Sequence, residues 1–257
     1  MKMVSYVELA KFDTFTIDDV CQLVGNKKTA YSLVSRLSKK GLVKKIRNNL
    51  YTCINAVDGQ PIATRFHIAC AINETAYLSY HSAFEYMGMY NQVFFQMYVS
   101  STKRFNDFEF NGIRYKYLPS KLSAGIITPR NTKGIRVTTL ERTIVDSIED
   151  FEKVGGLEEL LNCIEMVNYL DENEVIKYLE LYNNQFLYQK TGFILEHYKD
   201  QLKLSDSFIE LCRNRVGKSI RYLTKNSTKY CKEWRLVIPE ELFSIDQQGR
   251  IISAYVR

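Results

Sequence analysis

Two short stretches hold reactive or ionisable side chains close together. Ser79, His81 and Ser82 put two hydroxyls beside an imidazole within four residues, the raw material of a nucleophile and its base. They stand too near one another for the usual triad, and no G-x-S-x-G elbow is present. Ser79 as a helix N-cap, with His81 in the first turn, is the simpler account. Glu141, Arg142 and Asp146 form the second stretch. Arg142 and Asp146 are four apart, so they share a helix face and can pair, and Glu141 suits the positive end of the helix. Such pairs are more often structural than catalytic. Glu85, Glu141 and Asp146 are the candidate metal ligands of an enzymatic reading, but no acidic pair has metal-ligand spacing with a supporting His. The Walker, G-x-G-x-x-G and H-E-x-x-H signatures are absent. Gly155-Gly156 precedes a helix and could meet a phosphate, which is weak evidence by itself. The sequence therefore predicts no enzyme, no metal site and no cofactor.

A different chemistry sits near the front. Asn26 to Thr52 (NKKTAYSLVSRLSKKGLVKKIRNNLYT) carries Lys27, Lys28, Arg36, Lys39, Lys40, Lys44, Lys45 and Arg47, with no Asp or Glu among them. Residues 1–57 hold ten Lys and Arg against four Asp and Glu, whereas the rest hold 25 against 25, so the whole net charge of +6 lies at the front. Such asymmetry suits a polyanion for one part of the chain and another task for the remainder.

The elements that must position these cations follow from spacing. A short helix runs from about Ser5 to Phe12. Thr16 with Asp19 resembles a capping box for the next helix, which carries Ile17, Val20, Cys21 and Val24 on one side and stops at Gly25. Gly25 can take a positive φ, and Asn26 can cap the helix that follows. Ala30, Leu33, Val34 and Leu37 then make one apolar stripe, leaving Lys28, Tyr31, Ser32, Ser35 and Lys39 on the other face, as in a major-groove reader. After Gly41, Leu42–Ile46 and Leu50–Cys53 read as strands turning at Arg47-Asn48-Asn49. The order predicts a winged helix-turn-helix. Its DNA contacts are assigned to Lys27, Lys28, Tyr31, Ser32, Ser35, Arg36, Lys39, Lys44, Lys45, Arg47 and Asn48. A small helical domain with an incidentally basic surface is the alternative.

Asn55–Pro61 is polar and turn-rich, which places a boundary after residue 57. Beyond it, residues 58–150 read as mixed α/β: a helix over Ile62–Asn73, a strand at Tyr77–Ser79, a helix over His81–Met87, a strand at Phe94–Ser100, a hairpin over Phe108–Leu118 turning at Asn111-Gly112, a strand at Ile135–Thr138, and a helix over Leu140–Ile148 capped by Thr139. Residues 151–257 read as mainly helical, over Leu157–Tyr169, Glu172–Tyr182, Phe186–Leu202 and Ser207–Val216, with Asp171 and Ser205 as caps and a late strand at Arg235–Pro239. Tyr178, Tyr182, Phe186, Tyr188, Phe193 and Tyr198 recur at helical spacing, as packing residues do. The fold class is α+β. Six cysteines without a CxxC pair suit buried positions in a reducing compartment. The N-terminus lacks a signal-peptide core, and no run nears the ~20 apolar residues that span a bilayer. A cytoplasmic protein is expected.

Three segments resemble the AbiEi-type antitoxins of type IV toxin–antitoxin and abortive-infection systems. Leu42 to Tyr51 (LVKKIRNNLY) is similar to that family's basic wing, with Asn49 where glycine is usual. Tyr77 to Gly88 (YLSYHSAFEYMG) and Val137 to Asp146 (VTTLERTIVD) are similar to two motifs of its second domain, which here fall on Ser79, His81, Ser82, Glu141, Arg142 and Asp146. The resemblance covers residues 1 to about 150. It implies a winged helix that binds and represses the operon's own promoter, as repeated sites on double-stranded DNA. It also implies a second domain that neutralises a cognate toxin of nucleotidyltransferase type, with or without a stable complex. A ligand-responsive winged-helix transcription factor, with residues 58–257 as a small-molecule sensor, is the alternative.

Overall fold

The computed structural model describes residues 6–240, 242, 244–245 and 251–252 and mixes helices with several sheets as an α+β protein. The chain divides into two units. Met1–Ser79, Phe94–Lys121 and Ile126–Val137 make the first, and Tyr80–Val93, Leu122–Gly125 and Thr138–Arg257 the second.

The first unit opens with α1 (Tyr6–Leu9), shorter than expected at its C-terminal end; Ser5 lies outside the described residues. Next comes α2 (Ile17–Val24), whose capping box is complete. The Thr16 hydroxyl accepts the Asp19 N–H, and Asp19 Oδ2 accepts the Thr16 N–H at 2.7 Å. Gly25 closes the helix at φ 78°, its N–H reaching Cys21 O at 2.7 Å. Asn26 then starts α3 (Lys27–Lys39), accepting the Thr29 N–H at 3.1 Å. An antiparallel hairpin follows, β1 (Val43–Arg47) with β2 (Leu50–Cys53), bulged between Lys45 and Arg47. Phe15 adds a bridge to Tyr51 through paired backbone bonds of 3.0 and 2.9 Å. Leu9, Phe15, Ile17, Val20, Ala30, Leu33, Val34, Leu37, Val43 and Cys53 form one buried cluster under these elements. Each large apolar side chain buried there contributes on the order of 2 kcal/mol.

Asn49 explains why the turn can do without glycine. It holds φ 55°, and its Oδ1 accepts the Ile17 N–H at 3.0 Å, satisfying one of the free donors at the start of α2. Glycine would supply the backbone angle but not that bond. Asn49→Gly is expected to cost about 1 kcal/mol, and Asn49→Ala, which also forces a Cβ into the left-handed region, about 2 kcal/mol. Urea unfolding checks the order, and a glycine variant as stable as the parent would contradict it.

The first unit continues with α4 (Arg65–Cys70) and β3 (Tyr77–Leu78). The helix is shorter than the expected Ile62–Asn73 because the chain is still in extended pairing at Ile62, whose N–H bonds Cys53 O at 2.9 Å. Thr64 then provides the cap, and at the far end Asn73 Oδ1 accepts the Thr75 N–H to form a turn. Strands β4 (Gln96–Ser101), β5 (Phe108–Phe110), β6 (Ile113–Pro119), β7 (Ile126–Ile127) and β8 (Val137–Thr138) complete a six-stranded sheet in the order β5-β6-β4-β3-β8-β7. The Asn111-Gly112 hairpin forms as expected, and β4 runs parallel to β6 and antiparallel to β3.

The second unit holds α5 (His81–Tyr86), α6 (Leu140–Glu149), a 3₁₀ turn (Phe151–Val154), α7 (Leu157–Glu165), α8 (Glu172–Tyr182), α9 (Gln185–His197), α10 (Lys199–Leu202) and α11 (Asp206–Asn214). Helix α6 packs on α8 and α9, and α11 on α9. Thr139, Asp171 and Ser205 cap their helices as expected. The expected helix Leu157–Tyr169 stops early: Gln201 Nε2 takes the carbonyls of Ile164, Glu165 and Val167, at 3.3, 3.0 and 2.7 Å. The expected Phe186–Leu202 helix breaks at Tyr198 into α9 and α10. Three strands, β9 (Arg221–Tyr222), β10 (Lys229–Cys231) and β11 (Leu236–Ile238), form a sheet in the order β10-β11-β9, of which only β11 was expected. Two short strands, β12 (Ser244–Ile245) and β13 (Ile251–Ile252), pair antiparallel. Among the described residues no helix is long and apolar enough to cross a membrane.

Gly192 stands where the packing leaves no room for a side chain. It lies in α9 beneath Trp234, and an added Cβ would collide with the indole ring. Trp234 is itself buried, with Nε1 donating to Glu196 Oε2 at 2.7 Å. Gly192→Ala would gain about 1 kcal/mol of helix propensity yet is expected to destabilise the protein, because overpacking costs about 1–3 kcal/mol. Thermal unfolding checks the sign.

Candidate nucleic-acid interface

Helix α3 turns Ala30, Leu33, Val34 and Leu37 inward. It leaves Lys27, Lys28, Tyr31, Ser32, Ser35, Arg36 and Lys39 exposed, with Tyr31 at 54%. Lys28, Tyr31, Ser32, Ser35 and Lys39 fall at helical spacing on one face, so flexible donors of different reach project from one rigid support. Lys27 lies 3.9 Å from Asp18, a loose exposed pair of little energetic weight. On the hairpin, Lys44, Lys45 and Asn48 are exposed.

Arg47 is placed differently. Its guanidinium carbon lies 5.2 Å from the Phe108 ring centroid and 5.7 Å from that of Phe105. Burial lowers its pKa below the usual arginine range. Lys44 Nζ likewise stands over Phe110, at 5.1 Å. Cation–π contacts of this kind pin the hairpin to the β5–β6 edge of the same unit. Sequence reasoning assigned no role to Phe105, Phe108 and Phe110. The alternating Phe-x-Phe before the Asn-Gly turn marks a strand face that needs cover, but nothing local says that an arginine some sixty residues earlier in the chain supplies it.

The second group of sequence-predicted residues does not form one site. Ser79 belongs to the first unit, where its hydroxyl bonds that of Ser100 at 2.8 Å. It does not cap α5: Tyr80 occupies the cap position at φ 53° with no side-chain cap bond, and the Ser79 hydroxyl is engaged by that of Ser100 on β4. His81 and Ser82 are buried in the second unit. His81 Nε2 lies 3.9 Å from Glu159 Oε1, which also accepts the Asn91 and Gln92 N–H groups at 2.9 and 3.1 Å. Arg142 and Asp146 are 1% and 2% exposed and joined at 2.7 Å. Arg142 Nη1 donates to Ala124 O at 2.6 Å, and the Tyr182 hydroxyl donates to Asp146 Oδ1 at 2.5 Å. Burial, reinforced by the Asp146 carboxylate, holds the Tyr182 hydroxyl far above the ordinary tyrosine pKa, so it stays a donor. Glu141 accepts the Asp171 N–H at 3.4 Å. Enclosed and mutually satisfied, Arg142, Asp146 and Tyr182 tie α6 to α8 and to the 122–125 loop and offer no reacting group to solvent.

Burial pushes the Cys53 thiol up to about 11 and that of Cys212 up to about 12, which keeps both protonated and unreactive at neutral pH. Among the described residues no group of three or more His, Cys, Asp or Glu is arranged to hold a metal ion. The second unit also has an open cavity of about 1040 Å³ beside Gly155-Gly156, bordered by Glu149, Asp150, Glu152 and Glu158 and also by Lys190 and Lys225. Its carboxylates outnumber its lysines, which disfavours a phosphate at the glycine pair.

No family model and no curated protein matches the chain. Among solved structures it is similar to the crystal structure of the RV2827C protein from Mycobacterium tuberculosis, at 13% identity and a TM-score of 0.65, with 91% of this chain and 89% of that chain covered. At that identity the likeness is one of fold.

Proposed function

We propose that the chain is an antitoxin and autoregulatory repressor: residues 1–57 act as a winged helix-turn-helix on the operon's own promoter, and residues 58–257 neutralise a nucleotidyltransferase-like toxin. One observation carries the DNA half of this reading. The same helix that buries Leu33, Val34 and Leu37 exposes Lys28, Tyr31, Ser32 and Ser35, and it is followed by a hairpin with exposed Lys44 and Lys45. In this reading α3 enters the major groove and its polar face meets base edges. Lys27, Arg36, Lys39, Lys44, Lys45 and Asn48 meet phosphate, which gives affinity and salt dependence rather than sequence choice. Arg47 sets the angle of the wing through the phenylalanines it stacks on. The antitoxin half rests on the motif resemblance, with Arg142 and Asp146 as the internal brace of that domain. The protein acts in the cytoplasm, without metal or cofactor and without turnover.

The second reading, a ligand-responsive regulator, draws on the open cavity in the second unit. Co-expression with the adjacent gene separates the two: an antitoxin restores growth, and a sensor does not. Pairing that assay with operator binding by a Lys28→Ala, Lys45→Ala variant tests both halves of the proposal.

A further inference from the structure

The even balance of 25 cations and 25 anions over residues 58–257 conceals a segregation. Residues 138–206 hold fifteen Asp and Glu against six Lys and Arg, whereas residues 213–235 hold eight Lys and Arg against Glu233 alone. The basic segment includes β9 and β10. Tyr222 on β9 and Tyr230 on β10 both lie opposite Val237 on the central strand, so the three side chains form one row on one face of the sheet. Leu236, on the other face, is fully buried, while Tyr222 is 62% and Tyr230 48% exposed. Val237, between the two rings, is only 8% exposed, so the outward face consists of the two tyrosines flanking a covered Val237. The two tyrosines are two strand spacings apart, about 10 Å.

The cations around this row are only partly used within the unit. Arg213 pairs with Glu196 and Glu233, Arg215 and Arg221 lie over Tyr188 and Phe186, and Arg235 donates to Lys218 O. Lys218, Lys225, Lys229 and Lys232 are exposed, and among the described residues none of the four is in an ion pair. Exposed aromatic faces set among lysines match a ligand with free π-faces and a phosphate backbone. A duplex keeps its base faces stacked inside the helix and offers none to Tyr222 or Tyr230. A single strand offers them at a spacing that two separated rings can accept.

We propose that this sheet face binds single-stranded nucleic acid, with bases stacked on Tyr222 and Tyr230 and the backbone held along the β10 edge by Lys232 and by Lys229, whose exposed side chain leaves the strand on the opposite face and reaches around that edge. The cavity that Tyr222 also lines carries four carboxylates against Lys190 and Lys225, so its net negative border disfavours phosphate relative to the Lys229–Lys232 edge. The site is distinct in sequence and in chemistry from the basic front end, and neither reading needs the other.

The test uses the full chain carrying Lys28→Ala and Lys45→Ala, which weakens the front end by removing two of its contacts, and the fluorescence anisotropy of labelled oligo(dT) and oligo(rU) of about twelve nucleotides, a length one such surface can cover. Binding is expected to persist in this background. Tyr222→Leu with Tyr230→Leu should weaken it by about tenfold or more, Phe at both positions should restore it, and Lys229→Ala with Lys232→Ala should flatten its salt dependence. Comparison of the two oligonucleotides tells DNA from RNA as the natural source. Absence of binding, binding indifferent to the leucine pair, or equal and tyrosine-insensitive binding of poly-glutamate, which would mark a docking face for an acidic protein, overturns the proposal.

Discussion

Operator affinity is expected to fall by roughly 100-fold or more in the Lys28→Ala, Lys45→Ala protein at ~150 mM salt, since each charged hydrogen bond contributes about 1.5–3 kcal/mol. Both side chains are exposed and both leave the core untouched, so the variant should melt with the parent. The two losses differ in kind. Lys45 projects from the hairpin, and its removal should weaken every duplex alike and lower the salt slope by about 1. Lys28 lies on the polar face of α3, and its removal should narrow the gap between operator and unrelated DNA. Toxin neutralisation in co-expressing cells should survive both changes. A variant that still holds its operator at that salt concentration would remove the support for a DNA-reading face on α3 and the hairpin.

Arg142→Ala should be the most destabilising single change in the second unit, at about 3–5 kcal/mol. The substitution strands the Asp146 carboxylate at 2% exposure, with the Tyr182 hydroxyl as a remaining donor, and it frees the Ala124 carbonyl that Arg142 holds. Replacing both charges by apolar side chains of similar volume, as in Arg142→Met with Asp146→Leu, should recover much of the loss, because no buried charge is then left alone. Trp234, the single tryptophan, lies buried in the same unit, so its fluorescence during urea unfolding reports the relevant transition. If Arg142→Ala unfolds within about 1 kcal/mol of the parent, the pair is not the brace described above.

What could be read from the sequence has a common physical basis. The Thr16–Asp19 box, the Gly25-Asn26 turn, the Ala30–Leu37 stripe, the Asn111-Gly112 hairpin and the caps at Thr139, Asp171 and Ser205 all depend on partners within a few residues. Their energies are settled by local geometry, which periodicity and residue type express directly. The pairing of Arg142 with Asp146 belongs to the same class, being one helical turn apart. The charge segregation within residues 58–257 was also present in the residue order, but a single sum over that span cancels it.

Other features depended on residues brought together from far along the chain. Ser79 had an equally good local use as a cap, and its hydroxyl instead bonds that of Ser100, which the β3–β4 pairing brings near. Arg47 had the composition of a phosphate ligand, and it lies on Phe105 and Phe108. Strands β9 and β10 are too short to show a pattern and exist because β11 offers them an edge. Thus the amino-acid order by itself determined the capped starts of α2, α3, α6, α8 and α11 and the apolar stripe and exposed face of α3, where the competing choices differ by short-range terms. Tertiary structure alone decided which polar side chains were consumed by packing and which stayed available to a partner, because a buried hydrogen bond or cation–π contact is worth more than its solvated alternative only when the fold has already excluded water from both members.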